Sequence, residues 1–396
     1  MKIVIVHNRY RGGAPGGEDV VVDQETRLLV SRGVEVAHYS RSNDEMSETN
    51  PLDVARVMAG LRRSSRTVRE LPKLLREFAP DVAHFHNVFP LVSPVAYELC
   101  AQARVPIVQT LHNYRLSCAA ATHFRDGSAC QLCSPIVWSP AIRHRCYRGS
   151  RVGSWAVANM LKSSWRDGVY SLVDRFIVLT EFAASWLTDH VGVPSSRVVI
   201  KPNFVELGSA VGSSSRQTRW IYAGKLSAEK GVLLMLEAWR ELKDIPLLIV
   251  GDGPLAAQCR QFVEQHRLPV TFTGFLPRQE ALAEVAGSVG MVFPSQWYEG
   301  LPMILLESWA LGTPVVAARV GAAASLIDNE VTGMLHDPNS PSDLARCVRL
   351  LHQQPSFAKT LSLAARQRAA QEFDAQANFD RLMRIYRDVK SLRQDA

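Results

Sequence analysis

Short apolar segments alternate with helical segments along the whole chain, and this alternation restricts the fold more than any other feature of the sequence. The apolar segments have the length of buried strands, and helical periodicity marks the segments between them. That order is typical of parallel sheets covered by helices. The sequence therefore predicts an α/β fold with strands at residues 2–7, 35–39, 82–86, 107–111 and 175–179, and again at 220–223, 247–250, 270–273, 289–293 and 314–317.

The two series of strands predict two doubly wound domains. A chain of 396 residues is long enough for two domains of ordinary size. The Gly/Ser-rich stretch at residues 208–215 lies between the two series and is interpreted as the linker. We therefore expect a first domain at residues 1–204, a second at 205–374, and a C-terminal helical segment at 375–396.

A candidate anion site follows the predicted strand at residues 289–293. The chain turns at Gly300 and opens a helix near Pro302, which suits the first helical position. The amides after Gly300 should therefore be unpaired and able to bind an anion. Glu299 and Glu307 place a carboxylate at each end of this segment, where each can accept hydrogen bonds from sugar hydroxyls. Together these features predict a nucleotide-sugar pocket.

Glycine and lysine residues follow other strands of the second half. Gly224 and Lys225 come directly after residues 220–223, and Lys230 lies five residues further on. A diphosphate needs backbone donors and mobile cations, and lysine supplies the latter as compact charges. Gly253 and Phe275 follow the next two strands, where they would line the nucleotide end of the pocket.

The first half carries its own motifs at strand ends. Gly16 and Gly17 open a helix after the first strand, where glycine permits close backbone approach. His112 begins a His-Asn-Tyr-Arg run after residues 107–111, and this position favours a functional role over a structural one. Ligands of open α/β sheets bind beyond the carboxyl ends of the strands, so two such domains facing one another would form a central cleft.

The order of these motifs resembles the retaining glycosyltransferases of family 4, which have the GT-B fold of two Rossmann-like domains. The resemblance implies that the domains face a central cleft and that the C-terminal helix returns to the first domain. It also implies transfer of a sugar from a UDP- or GDP-sugar to a hydroxyl. The motifs that carry it span nearly the whole chain: Gly16-Gly17-Glu18, His112-Asn113-Tyr114, Gly224-Lys225, Glu229-Lys230-Gly231, Gly251-Asp252-Gly253-Pro254 and the span from Glu299 to Glu307.

The resemblance assigns the donor diphosphate to Lys225 and Lys230. The family commonly has arginine where Lys225 stands, so the bidentate contact of a guanidinium is lost while the charge is kept. Backbone amides of the turn and the following helix would also meet the phosphates, at Gly300, Leu301, Met303 and Ile304.

Five further residues receive roles from the same resemblance. Glu307 would bind the ribose and Glu299 the hydroxyls of the donor sugar. His112 would face that sugar near the reacting carbon, and Gly16 and Gly17 would close over the phosphates from the first domain.

The implied reaction keeps the anomeric configuration and needs no catalytic metal or other cofactor. Two lysines and a helix N-terminus would stabilise the charge that develops on the leaving diphosphate. We expect a front-face mechanism, in which the leaving phosphate takes the proton of the acceptor. A covalent intermediate would need a carboxylate close to the anomeric carbon, and Glu18 is a poor candidate for it.

Four of the seven cysteines lie in one loop-rich stretch after His112. Cys130 and Cys133 have zinc-knuckle spacing, and Cys118 and Cys146 complete four thiolate ligands. A structural zinc site that shapes acceptor binding is one interpretation. Reduced buried cysteines and a redox-labile pair are the others.

Nearly all of the net charge of +7 lies in the first half, because residues 1–200 hold 24 Lys and Arg against 18 Asp and Glu. Basic residues recur at helical spacing between residues 62 and 76, with Pro72 expected to split the segment into two helices. A solvated helix face is one interpretation, and attraction to an anionic membrane surface or to a phosphate-bearing acceptor is the other. Nucleic-acid binding is not expected, because aromatic residues are not interleaved with the basic ones.

The predicted location is cytoplasmic, with peripheral contact to the inner face of the membrane. The first residues predict a strand rather than a secretory signal, and no stretch approaches the length of a membrane span. The predicted function is transfer of a hexose to a saccharide, most simply a lipid-linked one, in cell-surface polysaccharide synthesis. A nucleotide-sugar epimerase of the same fold and a non-catalytic nucleotide-sugar-binding subunit are the alternatives.

Overall fold

The computed structural model describes residues 1–10, 17–47, 50–206 and 217–393. They form two compact units. The first unit contains Met1–His123, Gln131–Pro202 and Asn378–Ala396, and the second contains Phe124–Cys130 and Asn203–Ala377. Gly16 and the predicted linker at residues 208–215 lie outside the described residues.

Each unit is built on one six-stranded sheet whose strand pairs are all parallel. The strands are β1 (Lys2–Arg9), β2 (Glu35–Ser42), β3 (Val82–Phe85), β4 (Ile107–Thr110), β5 (Phe124–Arg125), β6 (Ser128–Ala129), β7 (Arg175–Val178), β8 (Val198–Ile200), β9 (Trp220–Ala223), β10 (Leu247–Val250), β11 (Val270–Gly274), β12 (Gly290–Phe293), β13 (Val315–Ala318) and β14 (Met334–His336). The first sheet has the order β2-β1-β3-β4-β7-β8 and the second β11-β10-β9-β12-β13-β14, while β5 and β6 form a separate antiparallel hairpin.

Helices connect the strands of both sheets. None of the described helices is both long enough and apolar enough to cross a lipid bilayer. The helices are α1 (Gly17–Ser31), α2 (Pro51–Gly60), α3 (Ser65–Phe78), α4 (Val95–Gln102), α5 (Ser139–Arg143), α6 (Arg151–Arg166), α7 (Glu181–Ser185), α8 (Val232–Ala238), α9 (Ala256–His266), α10 (Arg278–Ala286), α11 (Met303–Ala310), α12 (Gly321–Leu326), α13 (Pro341–Gln353), α14 (Pro355–Glu372) and α15 (Ala375–Leu392).

The predicted fold class of two doubly wound parallel sheets is confirmed. All the predicted strands are present, with ends that differ by up to three residues from the predicted ones. Four further strands were not predicted: β5 and β6 of the hairpin, with two residues each, and β8 and β14 at sheet edges, with three residues each. All four are too short to show a periodic pattern. The cleft implied by the resemblance stays a prediction.

The expectation that Pro72 splits the basic segment is wrong, because α3 runs through Pro72 without a break. The interruption lies before α3, where the Ser64 hydroxyl accepts a hydrogen bond from the amide of Thr67 over 3.4 Å. Proline removes one helical hydrogen bond. The buried side chains of Leu71 and Leu75, which flank that position, hold the helix against the unit and offset the loss.

The C-terminal helix packs into the core of the first unit, as expected. Its buried residues Leu382 and Tyr386 belong to one hydrophobic cluster with Ile3 and Ile5 of β1. The Tyr386 hydroxyl also lies 2.7 Å from Nδ1 of the buried His84. Helix α15 therefore completes the first unit although it follows the second unit in the sequence.

We predict that Leu382→Ala lowers the free energy of unfolding by about 2–5 kcal/mol, because it leaves a cavity in this cluster. Leu392→Ala on the same helix is the matched control, since Leu392 is 47% exposed, and it should change the free energy of unfolding by less than about 0.5 kcal/mol. Urea denaturation of both variants measures the difference. Equal losses would contradict the packing of α15 described above.

Candidate active site

Three loops pack directly on one another at the carboxyl edge of the second sheet. The amide of Gly251, after β10, donates to the carbonyl oxygen of Gly274 at the end of β11 over 2.8 Å. A Cβ at Gly251 would lie 2.0 Å from the carbonyl oxygen of Gly224, and one at Gly253 would lie 2.4 Å from that of Leu226. Glycine is required for this close approach. The predicted residues Gly224 and Gly253 therefore lie where these strand-end loops meet.

The turn after β9 carries the two predicted lysines. Lys225 is exposed, and its carbonyl oxygen accepts a hydrogen bond from the Tyr222 hydroxyl over 2.8 Å. Lys230 is half-buried and precedes Gly231, which has φ of +69° and whose Cβ would lie 2.0 Å from the carbonyl oxygen of Pro294. A side chain at Gly231 would clash with that backbone, so the turn packs closely against the segment that follows β12.

The carboxylate of Glu299 is held by three donors. Its Oε1 lies 2.6 Å from Nζ of Lys230, and it accepts hydrogen bonds from the Ser295 hydroxyl and from Nε1 of Trp297, both over 2.7 Å. The Lys230 ammonium also lies 5.1 Å from the centre of the Trp297 ring, within the range of a cation–π contact. Charge-assisted hydrogen bonds of this kind fix both side chains in place.

The helix after Gly300 begins one residue later than expected. Helix α11 starts at Met303, and Pro302 is its N-cap instead of its first helical residue. The first hydrogen bonds inside the helix are those that Leu305 and Leu306 donate to the carbonyl oxygen of Pro302, over 3.0 and 3.4 Å. The amides of Met303 and Ile304 precede these bonds, which is the position from which helix starts bind anions.

Glu307, the second predicted carboxylate, is paired with Arg278, the first residue of α10. Oε1 of Glu307 accepts from Nη2 of Arg278 over 2.5 Å and from its Nε over 3.1 Å. Glu307 is buried, so the guanidinium supplies the compensating charge. Sequence analysis missed Arg278, because no local pattern joins it to a carboxylate 29 residues away.

Phe275 follows β11 with 73% of its surface exposed. Large aromatic side chains are mostly buried in folded proteins, and the flat face of an exposed one can stack on a nucleobase. Its position after the strand agrees with the predicted nucleotide end of the pocket.

In the first unit, His112 forms a pair with His86. His112 follows β4 and is half-buried, and its Nε2 lies 2.9 Å from Nδ1 of His86, which follows β3. Burial, and next the neighbouring His86, hold the pKa of His112 well below its usual value. Burial also lowers the pKa of His86 to about 3, assisted by the neighbouring His84. Both rings are therefore neutral near neutral pH and share one N–H between them.

A buried ion pair lies behind these histidines. Nζ of Lys201, which follows β8, lies 2.9 Å from Oε2 of Glu25 on α1, and both side chains are buried. Nδ1 of His84 lies 3.2 Å from the other oxygen of Glu25. Burial disfavours the carboxylate, but Lys201 and then His84 outweigh this effect and hold the pKa of Glu25 well below its usual value. Glu25 is therefore a buried negative charge.

This charge favours one tautomer of the histidine pair. Nε2 of His86 lies 3.4 Å from Oε1 of Glu25, so a proton on that nitrogen is stabilised by the carboxylate. Nδ1 of His86 then carries a lone pair and accepts from Nε2 of His112. The remaining nitrogen of His112, Nδ1, is thereby left as a hydrogen-bond acceptor.

A cavity of about 50 Å³ lies beside His112, between the ends of β3 and β4 and helix α6. Its lining includes Phe89, Tyr97, Arg115 and Met160. That volume holds one or two water molecules rather than a sugar ring. The cavity can therefore hydrate the histidine pair, but it is too small to be a saccharide site.

Models of two protein families match successive parts of the chain. The model of Glycosyltransferase Family 4 matches residues 15–209, and the model of Glycosyl transferases group 1 matches residues 209–368. The chain belongs to the family 4 glycosyltransferases.

Relatives of this glycosyltransferase extend over nearly its whole length. The glycogen synthase of Mycobacterium tuberculosis is 27% identical over 416 residues, which cover 97% of this chain and 90% of that protein. The D-inositol 3-phosphate glycosyltransferase of Paenarthrobacter aurescens is 25% identical over 378 residues, covering 86% of this chain and 85% of the relative.

Solved structures show the same fold at lower identity. Sucrose-phosphate synthase from Thermosynechococcus elongatus has a TM-score of 0.71 and 18% identity, with 99% of both chains covered. The HepE protein of Anabaena, solved in complex with UDP-glucose, has a TM-score of 0.64 and 16% identity, with 98% of this chain and 100% of that chain covered. Both are similar in fold, which is GT-B.

The predicted site residues of this glycosyltransferase fall into two groups. Gly17 is the exposed first residue of α1, and together with His112 it lies in the first unit. His86 was noted in the sequence only as a residue after the third strand, without a role, and Glu25 was not noted, although these two residues set the state of His112. The second unit holds the remaining predicted donor-site residues, Gly224, Lys225, Lys230, Gly253, Phe275, Glu299, Gly300, Leu301, Met303, Ile304 and Glu307.

Three of the predicted zinc ligands, Cys118, Cys133 and Cys146, lie in the first unit, and Cys130 is the last residue of a segment that belongs to the second. Among the described residues, the one group with three or more potential ligand atoms within 4.8 Å of one another is Glu25, His84 and His86. Cys133 is buried in the hydrophobic cluster around Trp138, and Cys146 packs against it. Zinc binding by Cys118, Cys130, Cys133 and Cys146 stays a prediction, and so do the two alternatives of reduced buried cysteines and a redox-labile pair.

We predict that His86 makes the stability of this glycosyltransferase depend on pH. The pKa of His86 is lowered in the folded state. Its contribution to the free energy of unfolding is therefore fully present above about pH 6.5 and is lost as the pH falls toward the folded pKa. The free energy of unfolding should decrease by about 1.4 kcal/mol per pH unit in this window for each histidine kept neutral. His86→Asn should remove one such contribution, as measured by urea denaturation across the window.

His144→Asn is the matched control, because His144 is exposed. It should leave the pH dependence unchanged. The same slope in His86→Asn as in the unmodified protein would show that His86 is protonated in the folded state and that the tautomer assignment is wrong.

Proposed function

We propose that the protein is a retaining glycosyltransferase that transfers a sugar from a UDP- or GDP-sugar to a hydroxyl of a lipid-linked saccharide in cell-surface polysaccharide synthesis. The observation that carries this proposal is the Lys230–Glu299 ion pair directly before the N-terminus of α11. It joins a cation from the turn after β9 to a carboxylate and helix-start amides that follow β12, and a sugar diphosphate needs all three.

Lys230, Lys225 and the amides of Met303 and Ile304 bind the diphosphate in this proposal. Lys225 is exposed and forms no ion pair with the residues that the structure describes, so its ammonium can reach a ligand. Lys230 is held 2.6 Å from Glu299. To bind the diphosphate, its ammonium has only to leave that carboxylate or to contact both groups at once. The UDP-glucose complex of the similarly folded HepE protein supports a nucleoside-diphosphate sugar as the donor.

The two carboxylates recognise hydroxyls of the donor. Glu299 accepts hydrogen bonds from hydroxyls of the sugar. When it does so it releases Lys230, which then binds the phosphate, and sugar recognition is thereby coupled to phosphate binding. Glu307 accepts from the ribose through the oxygen that is not bonded to Arg278. Phe275, exposed after β11, stacks on the base.

The chemistry proceeds on one face of the sugar. The bond between the anomeric carbon and the diphosphate oxygen breaks, and its electron pair stays on that oxygen, where the lysines and the helix start stabilise the charge. The acceptor oxygen attacks the same face, and its proton passes to the leaving phosphate oxygen. The configuration is retained, and the charges that the protein supplies make a catalytic metal unnecessary.

The state of two first-unit residues agrees with this mechanism. Burial raises the pKa of Glu18, whose carboxylate accepts from the Tyr10 hydroxyl over 3.1 Å, so it is a weak nucleophile. His112 is neutral and, in the favoured tautomer, offers an acceptor nitrogen. It therefore orients a sugar hydroxyl instead of acting as a general acid.

Assay of transfer from a panel of nucleotide sugars tests the proposal directly. The acceptors are a saccharide carried on a polyprenyl diphosphate and the same saccharide free in solution. NMR of the product should show the anomeric configuration of the donor, and chelation of divalent metal should leave the rate unchanged. An inverted product would disprove the front-face mechanism, and loss of activity on chelation would disprove the metal-free reaction.

We predict that Lys230→Ala weakens UDP or GDP binding by roughly 10- to 100-fold, because a charge-assisted hydrogen bond contributes about 1.5–3 kcal/mol. Thermal shift with the nucleotide measures the effect, since a ligand that binds only the folded state raises the melting temperature. The matched control is Lys243→Ala, an exposed lysine before the amino end of β10, which should keep the full shift. An undiminished shift in Lys230→Ala would remove Lys230 from the phosphate site.

A further inference from the structure

Helix α6 presents an exposed face that combines apolar and basic side chains. Its buried side, which includes Val157, Met160 and Leu161, belongs to one hydrophobic cluster of the first unit. On the opposite side Val152 is 69% exposed and Trp155 is 56% exposed. Exposed residues recur at spacings of three and four, and they therefore form one stripe along the helix, Arg151, Val152, Trp155, Asn159, Lys162 and Arg166.

The sequence around this stripe has no carboxylate. Residues 127–166 contain six Arg and Lys and neither Asp nor Glu, a run of 40 residues in a chain in which 21% of residues are charged. Arg166, the last residue of the stripe, lies 2.9 Å from Asp167, which directly follows the run, whereas Arg151 and Lys162 form no ion pair with the residues that the structure describes. The stripe therefore carries an uncompensated positive charge next to an exposed tryptophan.

The loop before α6 adds further exposed apolar surface within the same run. Ile136 is 84% exposed in a tight turn whose ends, Ser134 and Val137, pair with each other. Trp138, two residues later, is buried in the same cluster as the inner side of α6. The loop is thus anchored to the unit that carries the helix, while Ile136 remains in contact with solvent.

Helix α3 carries a second basic face, and acidic residues neutralise part of it. Arg66 lies 2.8 Å from Glu45 and 2.7 Å from Glu70. Arg62, just before the helix, lies 2.6 Å from Glu98. Arg69, Lys73 and Arg76 of α3 form no ion pair with the part of the chain that the structure describes, but no large hydrophobic side chain of α3 is exposed. The combination of unpaired basic residues with exposed Val152 and Trp155 therefore points to α6 rather than α3 as the surface available to an anionic bilayer.

We propose that the exposed stripe of α6, with Ile136, docks on an anionic lipid bilayer. Tryptophan and aliphatic side chains enter the boundary between headgroups and acyl chains, and flanking Arg and Lys attract acidic headgroups. This inference rests on the proposed function in one respect. Docking on a bilayer serves the reaction because the proposed acceptor is a lipid-linked saccharide. A protein partner or a second copy of the chain is the competing occupant.

Vesicle co-sedimentation of the full-length protein tests the proposal. Vesicles of phosphatidylcholine alone are compared with vesicles that also contain phosphatidylglycerol. Val152→Ser/Trp155→Ser should lower the partition constant by roughly tenfold or more, because two exposed apolar side chains lose their burial in lipid. Arg151→Gln/Lys162→Gln should lower it by about fivefold per residue on anionic vesicles only. These positions are solvent-exposed, so neither variant disturbs the core.

Arg69→Gln/Lys73→Gln on α3 and Leu363→Ser on α14 are the matched controls, since all three residues are exposed. Both should keep the partition constant of the unmodified protein. The proposal is overturned if the α3 variant loses as much binding as the α6 variant, or if the unmodified protein shows no preference for anionic vesicles. A change in the sedimentation coefficient of Val152→Ser/Trp155→Ser without a change in vesicle binding would assign the stripe to self-association and also overturn it.

Nucleotide thermal shift on the same samples separates the two proposals. Absence of vesicle binding with an intact UDP or GDP shift would remove the membrane surface and leave the glycosyltransferase proposal standing. Vesicle binding without any UDP or GDP shift would support the membrane surface and contradict the proposed nucleotide-sugar donor.

Discussion

The ion pair between Lys230 and Glu299 is the interaction on which the proposed donor site of the second unit depends. A lysine that binds phosphate, as we propose for Lys230, needs a defined position before the phosphate arrives, and Glu299 supplies this position at 2.6 Å. Ser295 and Trp297 hold the carboxylate in turn. The same carboxylate is proposed to accept hydrogen bonds from sugar hydroxyls. A nucleotide that lacks its sugar can therefore bind Lys230 through its phosphates but offers no hydroxyl of the donor sugar to Glu299. The site is thereby suited to the complete donor.

The order of strands was predictable because each buried strand of a parallel sheet is a separate apolar run bounded by turns. The edge strands β8 and β14 were missed, since three residues cannot display a period. The error at Pro72 has a different origin. Local preference disfavours proline inside a helix, but burial of Leu71 and Leu75 decides the outcome, and burial depends on tertiary packing.

The positions of candidate residues were predictable where a local motif places them after a strand, as for His112, Lys230 and Glu299. They were not predictable where distant segments meet. Glu25 lies 176 residues from Lys201, and His84 lies 302 residues from Tyr386, yet these groups form one buried network behind His112. No spacing rule joins such residues. Their coupling arises because the strand ends of the first sheet and helices α1 and α15 meet around one buried carboxylate.

The stripe on α6 also combines a feature that the sequence shows with one that only the structure shows. The sequence alone contains the carboxylate-free run at residues 127–166, but it does not show which side of the helix is buried. Trp155 would be an ordinary core residue if the helix were rotated by half a turn. Val157 and Leu161 are buried on one side of the helix, so Val152 and Trp155 lie on the opposite, exposed side. This exposure makes Trp155 part of an interaction surface instead of the core. An exposed tryptophan between unpaired basic residues then has a physical use at the boundary between water and lipid.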